Sequence, residues 1–167
     1  MLRQRTLKTA IRATGVGLHN GEKVYMTLRP AAENAGITFR RVDLDEPVDV
    51  PADPKLVGET MLGTTLVKDG VKVATVEHLM SALNMEGITN VLVKVEEEVP
   101  NIDGSAMDFC RLILDAGVVD QKETVPVAVI RKRIQVGIED PDKKHVYVEP
   151  YDGFEIWMRI NYPAPIH

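Results

Sequence analysis

The sequence predicts an α+β fold. A two-layer domain of strands and two helices covers residues 1–120, a polar linker covers 121–126, and 127–167 hold the opening strands of an incomplete second, similar domain. Three observations predict this. Apolar and polar residues alternate in several short runs between residues 7 and 95, the period of half-buried strands. The period lengthens to i, i+3, i+4, i+7 at Val76, Leu79, Met80 and Leu83, and again at Phe109, Leu112, Ile113 and Ala116, the stripe of a helix packed on one side. Beyond residue 126 only the strand period recurs, and some forty residues without a covering helix rarely fold alone.

In chain order, Leu7, Thr9, Ile11 and Ala13 share one face of a first strand. The glycine loop Gly15–Gly21, GVGLHNG, carries His19. Val24, Met26 and Leu28 alternate in a second strand that Pro30 closes. Asn34-Ala35-Gly36 turns into a third, with Ile37 and Phe39 inward. Pro47, Pro51 and Pro54 make the next stretch irregular or an edge. A hairpin follows at 64–75 around Asp69-Gly70, the strongest hairpin signal in the chain. Thr75 stands where it can cap the first helix and Gly87 where it can end it. Val91, Val93 and Val95 form another strand, and Glu96–Glu98 read as its solvated end. Ser105 and Asp108 have capping-box spacing before the second helix, which Gly117 stops. Strands at 127–130 with 134–138, at 145–148 and at 154–162 complete the reading. The ending at Ile166-His167 places the end of the chain partway through the second domain.

Composition narrows the function. Hydrophobic residues make up 44% of the chain, enough for a core. With 25 acidic against 20 basic residues and no basic stripe interleaved with aromatics, the chain is unsuited to a nucleic-acid partner. Its first residues have no apolar signal region, and no run approaches the ~18 apolar residues of a membrane span. The single Cys110 lies in a helical stripe and reads as a buried thiol. Together these features fit a soluble protein of a reducing cytoplasm.

Chemistry concentrates at Glu77 and His78, on the first turn of the first helix and beside its apolar stripe. A neutral imidazole there can bind a divalent metal, with the carboxylate as base toward an activated water. An acid favoured by the helix dipole next to a surface histidine is the ordinary alternative. The chain contains no HExxH. His145 and Glu149 have four-residue spacing, but an extended strand separates them by roughly 13 Å. His19 could approach the helix start or lie at the surface, and His167 is terminal. His78 is therefore at most one ligand of an incomplete set.

An ordered series of segments carries a resemblance: QRTLK from Gln4, ATGVGLHNG from Ala13, LRPA from Leu28, PAD from Pro51, TMLGTTLV from Thr60, TVEHL from Thr75, DGSA from Asp103 and LDAG from Leu114. In this order and spacing they resemble the N-terminal part of the UDP-3-O-acyl-N-acetylglucosamine deacetylases, zinc amidases of lipid A biosynthesis in Gram-negative bacteria. The resemblance implies two similar domains, each a sheet layered with two helices, with the active site between them. It implies His78 as one zinc (Zn2+) ligand and Glu77 as the general base. Met61 and Leu62 match positions lining the cleft, with hairpin core as their alternative role. Lys143 and Tyr162 resemble positions contacting the UDP moiety, although Asn161 stands where an Asp is common. Their alternatives are a solvated turn lysine and a strand-end packing residue. The partner so implied is a UDP-linked acylated amino sugar. The remaining zinc ligands, from a His-Lys-x-x-Asp motif, and a later histidine acid are absent, so the expected activity needs a missing C-terminal half. A non-enzymatic truncated paralogue or binding module of the same fold is the competing reading.

Overall fold

The computed structural model describes residues 2–138, 140 and 143–160. The chain divides into two compact units, 1–125 and 126–167.

The first unit is built on a five-stranded sheet. Its strands are β2 (Ile11–Val16), β3 (Lys23–Pro30), β4 (Ile37–Arg41), β5 (Val48–Pro51) and β9 (Val91–Val95), in the order β2-β3-β9-β4-β5. All pairs are antiparallel except β4 with β9. A parallel pair needs a long crossover. Here the crossover holds β5, a short 3-10 helix at Pro54–Leu56, a three-stranded sheet of β6 (Val57–Glu59), β7 (Thr65–Lys68) and β8 (Val71–Val73), and helix α1 (Glu77–Met85). Helix α2 (Met107–Ala116) follows β9 and packs on α1 and β2. The expected α+β class is thus the observed one.

Alternation explains the core. Val24, Met26 and Leu28 of β3, Val91, Val93 and Val95 of β9, and Phe39 and Val50 are all buried, as are Leu79, Ala82 and Leu83 of α1 and Phe109, Cys110 and Ile113 of α2. Burial of a large side chain of this kind contributes roughly 1.5–3 kcal/mol. The hairpin turns where expected, with positive φ at both Asp69 (50°) and Gly70 (81°), the requirement of a tight primed turn. Gly87 adopts φ 66° just past α1. Burial raises the Cys110 thiol pKa, and the nearby Glu86 adds to it.

Several expectations are corrected. The run from Leu7 to Ala13 is two strands: β1 (Arg3–Leu7) ends as Lys8 N–H bonds the Gly117 carbonyl at 2.8 Å, and β2 starts in a different sheet. Gln121–Thr124, expected as linker, belongs to β10 (Val118–Thr124), antiparallel to β1. Its polar residues suit the exposed strand of a two-stranded ribbon whose other strand, β1, is largely buried, and Gln121 accepts from the Asn90 side chain at 2.7 Å. Thr75 does not cap α1. Val76 holds the cap position, and Thr75 takes φ 56°. The capping box is also absent. Ser105 bonds Asp103 and accepts from the Met107 N–H, while Asp108 pairs with Arg111. Asp103 is held below its usual pKa by the Ser105 backbone N–H and then its hydroxyl.

In the second unit the described residues form one antiparallel pair, β11 (Ile134–Val136) with β12 (Val146–Val148). The strands expected at 127–130 and along 154–160 do not form, and 161–167 lie outside the described residues. No helix among the described residues is long and apolar enough to cross a membrane.

Candidate active site at the junction of β8 and α1

The site begins where the hairpin sheet hands the chain to α1. Ala74 lies alongside Glu98: its N–H bonds the Glu97 carbonyl at 2.9 Å and its carbonyl accepts from Val99 at 3.0 Å. Pinned there, the chain turns at Thr75 through a left-handed conformation. A β-branched residue takes it only at a cost of about 1–3 kcal/mol and only where its surroundings enforce it. The turn sets the direction of the first helical turn, and so of Glu77 and His78.

The segment before β7 lies against this turn. Thr64 accepts from the Val76 N–H at 3.2 Å through its carbonyl and donates its own N–H to Glu77 Oε2 at 3.0 Å. One carboxylate oxygen of Glu77 is therefore oriented by the backbone. The other, Oε1, receives no hydrogen bond among the described residues and faces Gly63. A Cβ on Gly63 would lie 3.2 Å from His19 Nε2, 3.4 Å from Glu77 Oε1 and 3.8 Å from Thr75 Oγ1. Only a residue without a side chain leaves that space between imidazole and carboxylate open. The structure thus brings His19 to the helix start, one of the two positions its loop allowed. His78 is half-buried, and its ring makes no hydrogen bond among the described residues.

Sequence reasoning missed Glu98. Expected as part of a solvated strand end, it is 2% exposed and bonds the loop carrying His19. β9 ends at Val95, so its alternation no longer tells which way residue 98 points. Arg41 was passed over too. Its buried guanidinium bonds the Lys72 carbonyl at 2.6 Å and Asp43 through two nitrogens, tying the end of β4 to β8. The Asp43 carboxyl is held below its ordinary pKa chiefly by that hydrogen bond.

Met61 and Leu62 lie in the loop before β7, at 82% and 84% exposure, so neither is hairpin core. Leu62 has φ 56°. Lys143, in the second unit, is exposed, with its ammonium 3.9 Å from Asp140. Tyr162 lies outside the described residues. A concavity of about 320 Å³ runs between Arg12, Ile102 and Arg111 and includes neither Glu77 nor His78. Its Arg111 is already paired with Asp108 at 2.8 Å. No group of three or more His, Cys, Asp or Glu able to hold a metal occurs among the described residues.

In comparisons with known proteins, residues 4–167 match the family model described as LpxC, UDP-3-O-acyl N-acetylglycosamine deacetylase. The chain is 52% identical to the UDP-3-O-acyl-N-acetylglucosamine deacetylase of Hahella chejuensis, 54% to that of Methylococcus capsulatus and 52% to that of Marinobacter nauticus. Each alignment covers 99% of this chain and 54% of the relative, so the chain spans about half the length of the curated relatives it matches. A match over nearly the whole sequence, at such identity, means that this chain belongs to the UDP-3-O-acyl-N-acetylglucosamine deacetylase family.

Proposed function

We propose that this chain supplies one side of the active site of a zinc-dependent deacetylase that removes the acetyl group of a UDP-3-O-acyl-N-acetylglucosamine, a step of lipid A assembly in the cytoplasm of a Gram-negative bacterium. The observation that carries the reading is the Glu77 carboxylate, with one oxygen tied to the Thr64 N–H and the other facing Gly63 without a hydrogen bond among the described residues, one residue before His78 on the first turn of α1.

The residues present fit part of a zinc site. His78 offers an imidazole uncommitted to other protein groups among the described residues, adjacent to a carboxylate suited to general-base work. When bound, zinc supplies Lewis acidity at the acetamide carbonyl and makes water easier to deprotonate. The chain's own part is proton handling and positioning. Glu77 Oε1 takes a proton from the attacking water while the Thr64 bond to Oε2 holds the carboxylate in place. The proton then moves toward the glucosamine nitrogen as acetate leaves. The exposed Met61 and Leu62 offer apolar contact for the substrate, and Lys143 and Tyr162 are assigned to the UDP moiety. The other zinc ligands would come from a His-Lys-x-x-Asp motif, which these 167 residues do not contain. The chain alone is accordingly inactive.

The test compares the 167-residue chain alone with the same chain joined to the corresponding C-terminal portion of a relative, with and without zinc. Zinc-dependent deacetylation is expected from the joined protein only. Glu77→Gln in it lowers kcat by roughly 10²- to 10⁴-fold, the usual worth of a general base. Turnover by the chain alone would overturn the half-site reading. A folded, zinc-loaded joined protein without deacetylase activity would instead support the binding-module reading.

A further inference from the structure

We propose that Glu98 is a positioning residue of this site: its buried carboxylate ties the His19 loop to the Thr75 turn, and so holds the His19 imidazole against Gly63 beside Glu77. The geometry is specific. Glu98 Oε1 accepts from the Thr75 hydroxyl at 2.7 Å, the Leu18 N–H at 2.9 Å and the His19 N–H at 3.2 Å, and Oε2 shares the His19 N–H at 3.3 Å. Those donors come from two segments far apart in sequence, and each segment carries a group of the site. The Leu18–His19 backbone leads into the imidazole that meets Gly63. Thr75 is the left-handed residue from which α1 departs with Glu77 and His78.

A carboxylate at 2% exposure is a costly way to fill space, since a buried acid must find donors to offset its lost hydration. An apolar side chain would pack the same volume at less cost, but it would neither orient two backbone N–H groups nor restrain a threonine hydroxyl. The loop is shaped for the approach. A Cβ on Gly17 would come within 2.6 Å of Glu98 Oε2 and would also collide with the Asn20 side chain. Gly17 thus admits the carboxylate beneath the loop, while Asn20 Oδ1 closes the loop by accepting from the Glu22 N–H at 2.8 Å.

The catalytic consequence rests on the deacetylase reading, whereas the placement of the loop does not, and the experiment separates the two. In the 167-residue chain, Glu98→Met keeps the length of the side chain and removes the carboxylate. Nuclear magnetic resonance is expected to show loss of the contact between the His19 ring and the Gly63 α-protons. The Leu18 and His19 amides should exchange about tenfold faster or more, each having lost a hydrogen bond, while the Phe39 and Phe109 resonances stay in place. Glu98→Gln retains one acceptor oxygen and should restore most of the contact. Should Glu98→Met not fold, Gly17→Ala decides, because it drives the loop from an unchanged Glu98 and should lose the same contact. In the joined, zinc-loaded protein, Glu98→Met should lower kcat about 10- to 100-fold, the range for residues that orient catalytic groups, with KM nearly unchanged. Retention of the His19–Gly63 contact in the deciding variant would overturn the proposal, and so would an unaltered kcat in an active joined protein. If the unsubstituted joined protein is inactive, the deacetylase reading fails, and the contact still decides what Glu98 does.

Discussion

The two units of this chain follow the same strand period and meet different fates. In the first, the inward residues of β3 and β9 lie under two helices and are sealed from water. In the second, Ile134, Val136, Val146 and Val148 keep the alternation of strands yet are all exposed, and Trp157 stands at 87% exposure. Composition does not separate the two, since both are rich in Val and Ile. The separation is a layer. A sheet gains from its apolar face only when another element covers it, and the described residues of 126–160 include no helix. An alternating pattern therefore states what a strand could bury and leaves open whether anything comes to bury it.

The comparison can be broken most severely by hydrogen exchange. Amides of β3 and β9 should be protected by most of the global stability, roughly 5 kcal/mol or more, and those of residues 127–138 and 143–160 by almost nothing. Comparable protection in both units would contradict the contrast. Next in size is a pair of truncations. Phe109→Ala should lower stability by about 3–5 kcal/mol in urea unfolding, and Trp157→Ala by less than about 0.5 kcal/mol.

Asn90 comes third. Its buried side-chain amide donates to Gln4 and Gln121, and its carbonyl oxygen accepts from the Gly36 N–H. Asn90→Ala strands these partners and should cost about 2–3 kcal/mol, with the loosening greatest in β1 and β10. Smallest is the Arg41–Asp43 pair. The Asp43 pKa is lowered on folding, so its contribution is complete above the ordinary aspartate range and fades as pH falls below it. Asp43→Asn should cost about 1 kcal/mol at neutral pH. Its stability should converge with that of the unsubstituted chain as pH drops below the ordinary aspartate value of 3.8. A difference that persists in acid would mean the pair acts through packing instead.

Legibility followed the range of the interaction. The lengthened period at Val76–Leu83 located α1 within a residue, and with it Glu77 and His78 on one turn, because helical spacing is a local matter of backbone geometry. The Asp69-Gly70 turn was legible for the same reason. The role of Thr75 was misread. A threonine before an apolar stripe ordinarily caps a helix, but here its hydroxyl is engaged by Glu98, twenty-three residues away. The polar run Gln121–Thr124 looked like linker because the partner that makes it a strand is Arg3–Leu7, at the opposite end of the unit.

By itself, the sequence determined the α+β class, both helices, the strands β3, β4, β7, β8 and β9 of the first unit, and the pairing of an acid and an imidazole at a helix start, all consequences of side-chain period and residue chemistry within a dozen positions. Only the tertiary structure decided that His19 stands at Gly63 across from Glu77, that Glu98 is buried as their tie, and that the described apolar residues of the second unit are exposed. Such placements depend on hydrogen bonds and packing between segments far apart along the chain, which no local periodicity encodes.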